Sequence, residues 1–350
     1  MTDGLATALK FVDIILMNAV LACDLGGTNL RLAAISHEGE ILTRAHRPTP
    51  RAQSAEEIFS LIKEAALECR GKLADGFSVT GIAAAVPATI NFERGLMLKA
   101  PNVPALDGFE MRTALEAEFK LPAILENDAN AAAIGEGWLG ASRGIRNSVT
   151  VTLGTGVGGG IILGGEILRG VDGTAAEVGH ICVEPHGVPC GCGSRGCVEQ
   201  YASATAIVRL WNEFRSAEGM VERLREDSEM SSYAIFEAAR NADPVALKVF
   251  ETMGFYLGIA FADLVNILNP EAIVVGGGLS NAWEHFIDPV KHEIKARCFK
   301  EPAERVRVIP AILGDDAGLL GVTKLLVDRQ TPGLDAPESF FGLIDSGDIG

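Results

Sequence analysis

The sequence predicts an α/β protein built as two lobes that face each other across a cleft. Two observations carry that reading: one strand and glycine-turn unit occurs twice, and around the copies apolar strand runs alternate with helix-period segments. The first copy, "AVLACDLGGTNLRLAAISHEGEILTR", runs from an apolar strand through a turn at Gly26-Gly27 into a strand at residues 30–35. It crosses a turn at His37-Glu38-Gly39 and enters a third strand beginning "EIL". The second copy, "VTLGTGVGGGIILGGEILRG", repeats that order over residues 151–170. Its spelling Gly154-x-Gly156-x-x-Gly159 matches a dinucleotide fingerprint, but the fingerprint works only where a helix follows the glycines and holds the pyrophosphate. Here Ile161-Ile162-Leu163 and Glu166-Ile167-Leu168 flank a Gly-Gly pair, so the run predicts a hairpin tip. A single glycine turn is ordinary hairpin chemistry. Two copies with Asp24, Thr28 and Thr155 beside the glycines point to phosphate held by backbone N–H groups.

Between the copies the pattern predicts a helix at residues 55–69, a buried strand near 79–86, a loop at "LKAPNVPALDG" and a helix near 109–119. The strand "AILEN" then leads into "DANAAAIGEGWLG", whose alanines suit a tightly packed helix. This sets Asp128 at the C-terminal edge of a strand, where open α/β sheets place ligand groups. A carboxylate there can take a hydroxyl proton, although an aspartate at a helix start commonly only caps it. Helices are expected at 204–214 and 244–268, the latter stopped at Asn269-Pro270. "EAIVVGGGLS" reads as a strand entering Gly276-Gly277-Gly278, and "LGDDAGLLGVTKLLV" as a final capped helix.

A chain of 350 residues suggests about two domains. The absence of a Ser- or Pro-rich linker implies that the chain crosses between them through helices. The expected lobes are 1–126 with a returning helix at about 315–330, and 127–314 with a cysteine loop at 180–197. A formal charge of −16 argues against a nucleic-acid surface or an anionic membrane face, yet leaves nucleotide binding open, since a few amides and a magnesium ion hold phosphates locally. The run "FVDIILMNAVLA" has neither the basic start nor the cleavage site of a signal peptide and is too short to span a bilayer. It reads as a short extension of a cytoplasmic protein, with Met17 an alternative start. The acidic end at 331–350 reads as a mobile tail.

"GHICVEPHGVPCGCGSRGC" gathers Cys182, Cys190, Cys192 and Cys197 with His180 and His186. Cysteines this dense, in a chain without secretion signals, read as metal ligands. Three thiolates and one histidine would make a closed, tetrahedral structural zinc site. Spacing leaves His180 and His186 in competition and keeps Cys182 as an alternative.

With these pieces in place, the chain resembles the ROK family (repressors, open reading frames and sugar kinases) over residues 21–324. The carriers are "DLGGTN", "APNVP", "ENDAN", "TLGTGVGGG", "EVGH" and "CGCGSRGCVEQYAS". The resemblance implies the two-lobed actin-like/hexokinase (ribonuclease H-like) fold, usually as a homodimer, closing over a sugar and ATP with Mg2+. It implies Asp128 as catalytic base, with Asn102, Asn127, Glu177, His180 and Glu199 on the sugar. His180 would join Cys190, Cys192 and Cys197 on a structural Zn2+, with His186 a bystander. Asp24, Gly26, Gly27, Thr28 and Asn29, with Gly154, Thr155, Gly156 and Gly158, would cradle phosphates, and Gly277 and Gly278 would lie near the adenosine. "AAAVPATIN" departs from the family's usual "GVPGPVD". The match looks nearest to bacterial members that phosphorylate glucose at the 6-hydroxyl. Other expectations are a kinase of N-acetylglucosamine, N-acylmannosamine, fructose or mannose, or a sugar-responsive repressor. The last needs a helix-turn-helix domain ahead of the first hairpin, where about twenty residues stand.

Overall fold

Two five-stranded sheets form the frame of the molecule. The computed structural model describes residues 17–50, 54–217 and 230–331, so the expected N-terminal extension ahead of Met17 and the acidic tail after Thr331 lie outside the described residues. In chain order the elements are β1 (Met17–Leu25), β2 (Asn29–Ser36), β3 (Ile41–Pro48), α1 (Ala55–Gly71), β4 (Phe77–Val86), β5 (Thr89–Asn91), β6 (Leu96–Lys99), α2 (Met111–Phe119), β7 (Ala123–Asn127) and α3 (Asp128–Leu139). There follow β8 (Ser148–Leu153), β9 (Val157–Leu163), β10 (Glu166–Ile167), α4 (Glu199–Ala202), α5 (Ala204–Ala217), α6 (Ser232–Arg240) and α7 (Pro244–Leu268). The last are β11 (Ala272–Gly276), α8 (Trp283–Arg297), α9 (Lys300–Arg305), β12 (Arg307–Pro310) and α10 (Ala317–Gln330).

The two sheets, in the orders β3-β2-β1-β4-β7 and β10-β9-β8-β11-β12, share one plan. In each, an antiparallel meander supplies three strands and its first strand then pairs in parallel with a later one, β1 with β4 and β8 with β11. Parallel central strands must be covered on both faces, and Ala19 to Cys23 of β1 are accordingly buried. Ser54 caps α1 by accepting the Glu57 N–H at 3.3 Å, and α1 turns Ile58, Ile62, Ala65, Ala66 and Cys69 into the first core. On the other face lies α10, whose Leu319, Leu320, Val322 and Leu326 join Val20, Ala22 and Ala83. The second core gathers around α7, whose length and mean hydropathy of 1.4 would also suit a membrane span. Phe250, Met253, Leu257 and Phe261 bury that helix among β8, β11, α5 and α8.

Where the sheets meet, α3 and α10 cross in a reciprocal contact. A Cβ at Gly135 of α3 would strike the Ala317 carbonyl, and one at Gly321 of α10 would strike the Ala131 carbonyl. The same spacing of four from alanine to glycine occurs on both helices. Two glycines thus let the helix backbones approach closely, and the pair ties the sheets together without a linker. The β5/β6 hairpin, α6 and α8 are not marked by the sequence pattern, and Pro289 inside α8 disguises that helix.

Candidate active site

β7 ends on Asn127 and α3 begins on Asp128, so both side chains reach the edge of the first sheet. Asn127 is the helix cap: its Oδ1 accepts the N–H groups of Ala129 and Asn130 at 3.0 and 3.1 Å, and its Nδ2 donates to the Ala88 carbonyl at 3.3 Å. Asp128 is thereby released from the capping role. It accepts the Ala129 N–H at 2.8 Å, and no basic side chain pairs with it among the described residues. Burial first, then the charge of Asp24, raise its pKa to about 7, with Glu177 adding a smaller push and nearby N–H groups opposing. A carboxyl so poised can accept a proton near neutral pH.

Asp24 lies two residues before the first glycine turn. Burial raises it to about 6, Arg31 opposing and Asp315 adding to the rise. Arg31 stands 3.5 Å from Asp24 and 2.9 Å from Asp315, so one guanidinium serves two carboxylates and negative charge is left over. That surplus suits a hard divalent cation such as Mg2+. The turn itself is pinned: Gly26 N–H donates to Asn29 O, Thr49 N–H to Thr28 O and Thr49 Oγ1 to Gly26 O, each at 2.8 Å. Asn29 Oδ1 meets His46 Nε2 at 3.1 Å. Asn102 stands against this turn, since a Cβ on Gly27 would lie 3.1 Å from its own.

At the second turn, Gly154 N–H donates to Gly156 O at 2.9 Å. Glu199, at the start of α4, accepts the Val157 N–H at 3.0 Å, and a Cβ on Gly156 would lie 2.5 Å from its Oε2. Glu177 keeps an exposed edge; partial burial of its carboxyl raises its pKa, with His180 opposing and Glu199 adding to the rise. Glu177, His180 and Glu199 therefore share one neighbourhood, which reaches Asp128 through Glu177 and Asp24 through Asp128. Gly158 turns away from the turn tip, with Thr152 Oγ1 2.6 Å and Ala129 Cβ 3.0 Å from the place of its missing side chain, and so makes room for α3. Gly277 has φ +83° and presses on the Leu153 backbone, a position closed to other residues. Gly154, Thr155 and Gly278 open onto a cavity of about 330 Å3 walled also by Ser232, Tyr233, Phe236 and Asn281. The sequence reading missed these last four; for the three on α6, Ser231, capping that helix through the Ala234 N–H at 3.1 Å, is the signal that could have found them.

His180, Cys190, Cys192 and Cys197 bring their donor atoms within 4.8 Å of one another. Cys192 Sγ to Cys197 Sγ and Cys190 Sγ to His180 Nδ1 both measure 3.7 Å. Tetrahedral zinc with sulfur at about 2.3 Å requires sulfur pairs about 3.8 Å apart, so the donor set fits. Burial and the two neighbouring thiols push Cys197 up to about 12, a cost that a dication would reverse. Cys182 and His186 fall outside the group. With Nδ1 turned to the thiols, His180 keeps Nε2 for a ligand.

The model of the ROK family matches residues 20–329. The chain belongs to the ROK family. Among curated ROK relatives, the glucokinase of Halalkalibacterium halodurans is 40% identical over 309 residues, covering 85% of this chain and 92% of its own. The glucokinase of Thermotoga maritima is 35% identical, covering 89% and 98%. Among solved structures, a ROK glucokinase from Streptomyces griseus in complex with glucose and AMPPNP is 36% identical, with a TM-score of 0.76 and coverage of 89% and 100%. The expected two-lobed ROK fold is thus borne out.

Proposed function

We propose that the protein transfers the γ-phosphoryl group of ATP to the 6-hydroxyl of glucose, with Asp128 as general base. The observation that carries this reading is Asp128 itself: released from capping by Asn127, raised to about 7, and set between Asp24 of the first hairpin and Glu177 of the second lobe. The glucokinase names of its ROK relatives support the substrate and the donor.

Phosphoryl transfer asks for alignment and charge stabilisation more than for covalent chemistry. Asp128 takes the hydroxyl proton as the hexose oxygen bonds to the γ-phosphorus and the bond to the β,γ-bridging oxygen breaks. Glu177 and Glu199 accept hydrogen bonds from neighbouring hydroxyls, His180 offers Nε2, and Asn102 and Asn127 line the first-lobe side. With the Gly26 and Gly154 N–H groups taken up inside their turns, the amides of Gly27 to Asn29 and of Thr155 and Gly156 would face the phosphates. The adenosine would occupy the cavity at Gly278, with Tyr233 and Phe236 as its apolar walls. Asp24 would hold Mg2+, directly or through water, and the ion would neutralise phosphate charge. The cysteine loop would hold Zn2+ and so fix the His180 ring. The free thiols suit a cytoplasmic protein, and the family resemblance implies a homodimer.

A substrate panel with coupled ADP detection tests the reading. Glucose with Mg-ATP should give the highest kcat/KM against mannose, fructose, N-acetylglucosamine and N-acylmannosamine. A higher value for another hexose overturns the substrate, and absence of ADP with every sugar overturns the kinase.

A further inference from the structure

Next to the proposed base lies a second buried acid that the mechanism does not use. Glu126 on β7 is 1% exposed. Its Oε1 accepts the Asn127 N–H at 3.0 Å and Asn130 Nδ2 at 3.1 Å, the residues that bracket Asp128 in the turn. Its Oε2 accepts two hydrogen bonds from Arg169, from Nε at 2.9 Å and from the terminal nitrogen at 2.7 Å. Arg169 lies in the loop just beyond β10 of the other sheet, and its guanidinium lies 4.0 Å from the centroid of Phe92, which follows β5. Four residues on, Gly173 has φ +89° and a Cβ there would lie 2.5 Å from the Ile90 carbonyl. The segment 168–177 is thus fastened twice to the first lobe and ends on Glu177.

A carboxylate this buried is tolerated only with a partner, and its sole cationic partner among the described residues comes from the opposite lobe. The arrangement is a strut with the base at one end and a hexose-binding carboxylate at the other. We propose that Glu126 and Arg169 are positioning residues, which hold the Asp128 turn and the Glu177 segment in register across the cleft. Neither touches the hexose or the nucleotide. The inference rests on the role proposed for Asp128, because only a reaction needing both ends makes the register matter. A displacement of about 1 Å between reacting groups costs about a hundredfold in rate.

The test compares Arg169→Met, Arg169→Lys and the double variant Glu126→Gln/Arg169→Met with the unmodified protein, reading kcat, both KM values, melting temperature and amide hydrogen exchange over 168–177. Arg169→Met should lose about a hundredfold in kcat/KM for the hexose with KM for ATP within about twofold, and the segment should exchange faster. Arg169→Lys should restore part of both. The double variant removes the orphaned carboxylate, so its melting temperature should recover while its kcat/KM stays low. Recovery of melting temperature and kcat/KM together would make the pair merely structural and overturn the proposal, as would near-normal turnover in Arg169→Met. If no hexose is phosphorylated by the unmodified protein, the kinase reading fails. The exchange measurement still decides the strut: unchanged exchange over 168–177 in Arg169→Met overturns it.

Discussion

At the first hairpin Asp24 faces Arg31 across the strands; at the equivalent place in the second, Thr152 faces Gly158. Each pair stands one step before the last paired residues, Leu25 with Leu30 and Leu153 with Val157. Each hairpin also receives the start of one of the crossed helices. At the first, the glycine is on the helix, where a Cβ on Gly318 of α10 would lie 3.4 Å from the Asp24 carboxyl; at the second it is on the strand, where a Cβ on Gly158 would lie 3.0 Å from that of Ala129 in α3. Moving the glycine from helix to strand exchanges what the hairpin can hold. The first keeps a buried carboxylate and a shared guanidinium, a setting for a metal and the phosphates. The second carries no charge at its pair, admits the helix that bears Asp128, and opens onto a cavity with aromatic walls. One backbone plan thus supports two kinds of chemistry because different side chains stand behind it.

Removing the carboxylate that this exchange brings into place should have the largest effect. Asp128→Asn should lower kcat by about a thousandfold or more in the ADP-coupled assay, at the upper range for a general base. Its stability should move the other way. A carboxyl raised from 3.8 to about 7 in the folded state favours folding while protonated, and that contribution is lost as pH rises through about 7. At pH 8 the ligand-free variant should therefore melt at the same temperature as the unmodified protein or higher. A large fall in melting temperature would show that Asp128 is structural.

The zinc loop braces the second-lobe side of the comparison. Elemental analysis should find about one zinc per chain, and Cys192→Ser should weaken its retention and raise KM for glucose about ten- to a hundredfold, the usual range when support of a metal-bound ligand is lost. KM for ATP should hardly move. A metal-free preparation with full hexose affinity would separate the loop from the sugar.

Within the second hairpin, Gly156→Ala should raise KM for glucose about tenfold, because its methyl group would meet Glu199 Oε2 at 2.5 Å and displace a hexose-binding carboxylate. Gly154→Ala, two residues away and with nothing within 4 Å of its added methyl group, should leave that KM within about twofold. Equal effects at the two positions would remove the distinction. The smallest change is expected at the cavity wall: Tyr233 is 69% exposed, so Tyr233→Ala should raise KM for ATP by a factor of about three to ten, the value of one aromatic contact, and leave glucose alone.

Both hairpins were legible in the sequence because apolar strands broken by glycine pairs are a local signal, and the helix after "AILEN" was legible from its alanines. Asp128 was placed correctly at the strand edge, but spelling could not show that Asn127 takes over the cap; that depends on which side chain turns back onto the Ala129 and Asn130 amides. Spacing alone left His180 and His186 equal, and the fold separates them by bringing Nδ1 of His180 to Cys190. Gly158 and Gly277 read as nucleotide contacts in sequence, whereas their surroundings give each a packing role. The Glu126–Arg169 strut joins a strand of one sheet to a loop beyond the other, 43 positions apart, and has no local signature. The aromatic cavity wall escaped notice because α6 is only nine residues long and its apolar residues 233–236 and 238–239 run around the helix without a clear period.

The dependence of kcat/KM for glucose on pH tests the central claim most directly, since it reports the ionisation of the free enzyme's base. The account predicts full activity above pH 8 and a fall of about tenfold per unit on the acid side of an apparent pKa near 7, steepening as Asp24 protonates near 6. A flat profile from pH 5 to 8 with a stable, saturable enzyme would contradict Asp128 as the base.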